Sequence, residues 1–237
     1  MYLSIIIPLY NEESLIGELL NELKRVNFPS FVEKTEIIIV DDQSTDKSYA
    51  LVQEYGKDKA GIKLIRQPAN KGKGFAVKTG IQQAAGDVIL IQDADMELVP
   101  ADIPSMLNAM HELQVPFING SRYLPGVLRP QAAFRRYFAN KTFTLLTSLF
   151  INVHLTDMAC GYKLFRKDLF EKLNLNESRF GFEAELIIKC GRLRKNWIAE
   201  VPVRYFPRNE GEGKKLRSFD GFRILKTIFL YGLLRLK

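Results

Sequence analysis

Asp87-Val88-Ile89-Leu90-Ile91-Gln92-Asp93-Ala94-Asp95 holds a short unbroken apolar run, Val88–Ile91, and ends on two carboxylates. Continuous apolar runs mark strands buried on both faces, the habit of parallel sheets covered by helices. The same pattern recurs outward from it. Residues 3–8 (LSIIIP), 36–40 (EIIIV) and 62–66 (IKLIR) read as strands, and a further strand is expected near 116–119. Between them lie helical patterns. Leu15, Leu19, Leu20 and Leu23 recur at helical spacing over 12–26. Residues 45–55, 75–85 (closed by Gly86) and 102–113 complete the alternation. Strands separated by helices of this length predict βαβ units and an α/β fold with a mostly parallel sheet.

The second half is less regular. Residues 134–151 and 182–193 read as helices, 197–203 as a strand, 207–215 as a loop rich in glycine and charge, and 220–237 as a final helix. No internal repeat or linker interrupts the chain. We therefore expect one domain over 1–219 and an amphipathic C-terminal helix over 220–237.

The chain has 237 residues, 46% apolar and 26% charged, which excludes intrinsic disorder. Its formal charge of +7 suits an anionic partner: a nucleotide, a phospholipid surface or a nucleic acid. The basic residues are dispersed, with no aromatic-rich basic patch, so no nucleic-acid partner is expected. Cys160 and Cys190 form no CxxC pair and read as buried free thiols. The opening segment MYLSIIIPLYNEE has no basic n-region and reads as a strand, predicting a cytosolic location. No apolar run approaches the ~18–20 residues that a spanning helix needs.

Three segments carry chemistry. Asp93 and Asp95 follow a strand at i and i+2, so both side chains project from one face. Paired carboxylates of this kind suit Mg2+ or Mn2+, with Glu97 as a third oxygen; the alternative is a solvated Asx turn. In open parallel sheets the ligand crevice lies where this triplet falls. Asp41-Asp42 end a second strand, and one of them could accept hydrogen bonds from a base or a ribose. Ser44 or Thr45 is placed to cap the next helix, with Asp46 in its first turn. Asn70-Lys71-Gly72-Lys73-Gly74 reads either as a loop offering backbone N–H groups to an anion or as a plain basic turn. It is not a Walker loop.

In order along the chain, IIIPLYNEE, EIIIVDDQSTD, NKGKG, QDADME, NGSRY, LTDMACGYKLF, RFGFEAEL, EVPVRY and EGKK resemble the family 2 glycosyltransferases of the GT-A fold. Within that family they resemble the polyprenyl-phosphate (dolichyl-phosphate) mannose and glucose synthase group. The resemblance implies transfer of a hexose, with inversion, from a GDP- or UDP-linked sugar to a polyprenyl phosphate. It implies that Pro8, Tyr10, Glu12, Asp42, Lys73, Asp93, Ala94 and Asp95 surround the nucleotide sugar. Asp93 and Asp95 would handle the metal and diphosphate, Arg122 would meet phosphate, and Asp157 would lie near the sugar, unless it only closes a turn. Arg135 and Arg136 are candidates to join Arg122 on the acceptor phosphate. Gln43 departs from the pattern where glycine is usual, so a turn needing positive φ would be strained. Glu97 stands where many mannose synthases have glutamine, and the donor sugar stays open.

A phosphate acceptor is already anionic and needs no strong base, in keeping with only two histidines, His111 and His154. The last helix has Phe222, Leu225, Ile228, Phe229 and Leu233 against Arg217, Arg223, Lys226, Arg235 and Lys237. It suits the interface of an anionic membrane, or packing on its own domain, or both on different faces. The expected place is peripheral, at the cytoplasmic membrane face, with a membrane-anchoring partner protein as a further candidate. The rival readings are a saccharide acceptor and a non-catalytic scaffold. Saccharide-acting relatives carry a later ED or QxxRW motif; here RFGFEAEL occupies that region.

Overall fold

The structure, a computed structural model, describes residues 1–57, 59–128, 130, 133–193, 197–208 and 218–235. Most of the 207–215 loop, the EGKK segment, Arg217 and Lys237 lie outside the described residues.

The elements run β1 (Tyr2–Leu9), α1 (Ile16–Arg25), β2 (Lys34–Asp41), α2 (Ser48–Gly56), β3 (Ile62–Arg66), α3 (Lys73–Gln82), β4 (Val88–Ile91), α4 (Ile103–Leu113), β5 (Phe117–Ser121), α5 (Phe134–Ile151), β6 (Lys163–Arg166), α6 (Lys167–Glu171), α7 (Gly181–Leu193), β7 (Ile198–Pro202) and α8 (Ser218–Thr227). A π-helical turn, Ile228–Leu233, continues α8. Among the described residues the strands form one sheet in the order β3-β2-β1-β4-β6-β5-β7. The four strands β1–β4 are parallel, as the apolar runs predict. β6 is antiparallel to both β4 and β5, and β7 is parallel to β5. The sheet is thus mixed, with one reversed strand, β6, in its interior.

Alternation along the strands divides the core into two layers. Leu3, Ile5 and Ile7 pack with Ile16, Leu19 and Leu23 of α1 and Met106 and Leu107 of α4. Ile6, Ile38 and Ile89 face the other way, onto Ala76 and Val77 of α3 and Leu186 and Ile187 of α7. Ile224, Ile228 and Tyr231 join this second layer, so the last helix packs on its own domain through one face. The boundary expected at 219/220 falls inside α8.

Three non-glycine residues with left-handed backbone follow the central parallel strands: Asn11 (φ 48°) after β1, Gln43 (φ 63°) after β2 and Met96 (φ 57°) after β4. The turn at Gln43 does require positive φ, as the departure from glycine had raised. Strained backbone of this kind collects where a scaffold positions function, and all three residues lie at the carboxyl edge of the sheet.

Candidate active site

The carboxyl ends of β1, β2 and β4 bring together Glu12, Asp42, Asp93 and Asp95. Asp42 is buried, and both its oxygens are occupied: Oδ1 accepts from the Lys71 N–H at 2.9 Å and Oδ2 from the Gly72 N–H at 2.7 Å. The anion met by the backbone of the NKGKG loop is therefore the protein's own carboxylate. Burial pushes the Asp42 carboxyl up, against the pull of those two bonds. Gly72 has φ 95°, and a Cβ there would strike the Arg179 side chain and the Ser178 carbonyl. The loop docks on the start of α7, with the Phe75 N–H donating to the Ser178 carbonyl at 2.9 Å.

The helix after β2 begins at Ser48, later than expected. Asp46 lies ahead of its N-cap, Lys47, and closes a turn there, its Oδ1 accepting from the Ser48 N–H at 2.9 Å. Ser44 instead ties two loops together, its Oγ accepting from the Asn11 N–H at 3.0 Å. Pro8, near the end of β1, and Tyr10, just past it, are half-buried.

Lys73, expected beside the nucleotide, sits between two carboxylates. Its Nζ lies 2.6 Å from Asp93 Oδ1 and 2.5 Å from Glu183 Oε1. Burial works against its charge, but Asp93 and Glu183 hold its pKa above the usual lysine range. Ala94 is buried between the two aspartates. Asp95 Oδ1 accepts from the Glu97 N–H at 3.1 Å, so the Asx turn is present. Burial, with the charges of Asp93 and Glu97, pushes the Asp95 carboxyl up to about 7.

Glu97 does not complete the expected trio of oxygens. Its Oε1 accepts from the Arg208 N–H at 2.8 Å and its Oε2 from the Tyr205 hydroxyl at 3.1 Å, fastening residues 205–208 over the site. Arg208 makes a two-pronged pair with Glu12, at 2.9 Å on each side, and its Nη2 is 3.8 Å from Asp95 Oδ2. Among the described residues no three His, Cys, Asp or Glu side chains gather as a metal-holding group. Asp93 and Asp95 nonetheless fit Mg2+ or Mn2+. They offer hard oxygens, and both ions routinely complete their shell with phosphate oxygens and water. Around them Glu12, Asp93, Asp95, Glu97 and Glu183 face Lys73 and Arg208, an excess of negative charge.

The acceptor side is built on β5 and α5. Arg122 follows β5 and meets Asp157 through Nε (2.7 Å) and Nη2 (2.8 Å), while its backbone N–H donates to the same carboxylate at 3.0 Å. Asn140 of α5 donates to Asp157 Oδ1 at 3.0 Å. Burial works to raise the Asp157 pKa; the Arg122 charge and these bonds more than reverse it and hold the carboxyl below its ordinary range. Asp157 is fully buried and orients Arg122. Arg135 is exposed and Arg136 half-buried in the first turn of α5, and Tyr137 of the same helix meets Tyr123, the neighbour of Arg122, with ring centroids 5.5 Å apart.

Sequence reasoning gave no role to Glu183, Arg208 or Asn140. Glu183 lies in the motif RFGFEAEL, but its partner Lys73 is 110 residues away. Arg208 meets Glu12 across 196 residues, a separation that leaves no local signal.

The glycosyl transferase family 2 profile matches residues 4–174. The chain is 32% identical over 231 residues to a dolichyl-phosphate beta-glucosyltransferase of Trichomonas vaginalis, covering 92% of this chain and 68% of that protein. It is 32% identical over 235 residues to a dolichol-phosphate mannosyltransferase of Pyrococcus furiosus, covering 97% of this chain and 63% of that one. Among solved structures, glucosyl-3-phosphoglycerate synthase of Mycobacterium tuberculosis, in complex with Mn2+, UDP and glucosyl-3-phosphoglycerate, superposes with a TM-score of 0.72. That match is 19% identical and covers 97% of this chain and 79% of the other, a likeness of fold. The GT-A sheet, the crevice at its carboxyl edge and these matches agree: the chain belongs to glycosyltransferase family 2.

Proposed function

We propose that this chain transfers a hexose, with inversion, from a GDP-mannose- or UDP-glucose-type donor to a polyprenyl phosphate at a membrane surface. One observation carries the acceptor class. Arg122, the cation expected to meet phosphate, is held against α5 through Asp157 and Asn140. Other positions of α5 expose Phe134, Phe138, Leu145 and Leu149. A phosphate-seeking guanidinium beside bare apolar surface suits a lipid carrying a phosphate head. The relatives named for dolichyl phosphate support the same class.

The residues divide the work. Asp42 holds the NKGKG loop against the donor side. Asp93 and Asp95 would hold a divalent ion, which when bound neutralises charge growing on the leaving diphosphate. Arg122, with Arg135 and Arg136 as further candidates, would hold the acceptor phosphate, whose oxygen attacks without a base. The Mn2+ and UDP named with the Mycobacterium tuberculosis enzyme support such an ion by likeness of fold.

The test is a panel of nucleotide sugars offered with a short polyprenyl phosphate and Mn2+, read by mass. One donor should give a lipid-linked hexose, and Asp95→Asn should lower turnover by orders of magnitude while the thermal midpoint holds. Sugar transfer to a saccharide with no lipid product would overturn the acceptor assignment. Full turnover in excess chelator would overturn the metal assignment.

A further inference from the structure

Lys73 opens α3, Asp93 follows β4, and Glu183 lies in the first turn of α7, so one ammonium joins three separate elements. Its distances to the two carboxylates are nearly equal, 2.6 and 2.5 Å, and the three side chains are 12–20% exposed. The bases of α3 and α7 are locked together: Gly74 lies so close to Phe182 that a Cβ would strike it. Lys73 therefore has little freedom to follow one partner and leave the other.

We propose that Glu183 is a positioning residue for the Asp93–Asp95 pair, acting through Lys73. The inference rests on the metal reading of that pair. Lys73 engages one oxygen of Asp93. Alone with Asp93 it would neutralise that carboxylate and make it a poor ligand for a divalent cation. Glu183 shares the ammonium, so the trio keeps a net charge of −1 and the Asp93 charge is only partly offset. Glu183 also fixes where Lys73 stands, and with it which oxygen of Asp93 is engaged.

The test uses the full chain and Mn2+ alone as probe, titrated by the loss of its free electron-spin signal. Wild type should bind Mn2+ and Asp95→Asn should not. Glu183→Gln keeps an oxygen for Lys73 but drops the charge, taking the trio from −1 to 0. Its Mn2+ dissociation constant should rise about tenfold or more, the scale at which residues behind a metal's ligands act. At saturating Mn2+ its kcat should return toward wild type. The double variant Lys73→Met/Glu183→Gln restores the trio's charge to −1, and its Mn2+ affinity should recover most of the loss, a coupling that independent sites do not show. Unchanged Mn2+ affinity in Glu183→Gln, with wild type binding and Asp95→Asn not, would overturn the positioning role alone. A double variant no better than Glu183→Gln would overturn the route through Lys73. Wild type that binds no Mn2+ would overturn the metal reading, and this inference with it.

Discussion

Gly161, between Cys160 and Tyr162, stands against the Asp93 carboxylate so closely that a Cβ there would overlap Oδ2 and press on Leu98. The carboxylate is the movable partner. Gly161→Ala should therefore rotate Asp93 off its present bond to Lys73 and lower turnover at least tenfold. The thermal midpoint should shift little, because a side chain at the crevice can turn without opening the core. A large loss of stability with turnover intact would show that Leu98 yields instead. At this scale the sequence was half legible. Asp93 and Asp95 announced themselves because i, i+2 spacing after an apolar run is a local pattern. The strain at Gln43 was readable from a glycine position filled by a larger residue. The partners of Lys73 and Glu97 were not readable, since each pairing joins segments far apart in sequence.

Asp157 fastens elements to one another. Its carboxylate, with no exposure to solvent, links the end of β5 through Arg122 to α5 through Asn140. Breaking one partner of a buried pair typically costs about 3–5 kcal/mol. Asp157→Asn should lose roughly 3 kcal/mol of unfolding free energy in denaturant titrations at pH 7. The pH dependence follows in sign. A carboxyl held below its unfolded value, near 3.9, contributes stability that is complete above that value. The contribution fades as pH falls through the lower, folded value. The gap between wild type and Asp157→Asn should therefore be widest at neutral pH and narrow below about pH 4. A gap independent of pH would place the effect in packing and not in charge. Helix boundaries at this scale were largely legible: α5 runs over the residues expected from its pattern, Phe134–Ile151. The late start of α2 was not, because Asp46 closes a turn on the Ser48 N–H before the helix begins, and neither Ser44 nor Thr45 caps it.

Across the whole molecule, α5, which reaches Arg122 through Asn140 and Asp157, and α8, which packs beside α5, leave apolar side chains bare. Phe138 and Leu149 of α5 are 64% and 65% exposed, and Phe222 of α8 is 70% exposed. No helix among the described residues is long and apolar enough to cross a membrane. We expect these bare side chains to lie in the interface of an anionic bilayer. Stopping the chain before α8 would be a poor test, because Ile224 and Ile228 belong to the core. The better one is Phe138→Ser/Leu149→Ser in liposome co-sedimentation. Binding should fall several-fold in the variant and weaken with salt in wild type, as screened attraction to anionic lipid requires. Equal sedimentation of both proteins would remove α5 from the interface. The fold class was legible from alternating strands and helices; the reversed β6 was not, since a four-residue strand carries no mark of its direction.

That reversed strand governs how the protein is made. β6 fills the seat between β4 and β5, yet it leaves the ribosome only after the 18 residues of α5 have followed β5. Until Lys163–Arg166 arrives, the edge of β4 has no neighbour on that side. It is a row of unsatisfied amides backed by Val88, Ile89, Leu90 and Ile91, all buried in the finished sheet. An open apolar edge of this kind invites pairing with another nascent chain. Slowing translation between β5 and β6 should therefore shift product from soluble enzyme to aggregate, and an unchanged soluble yield would show that the β4 edge is shielded before β6 arrives.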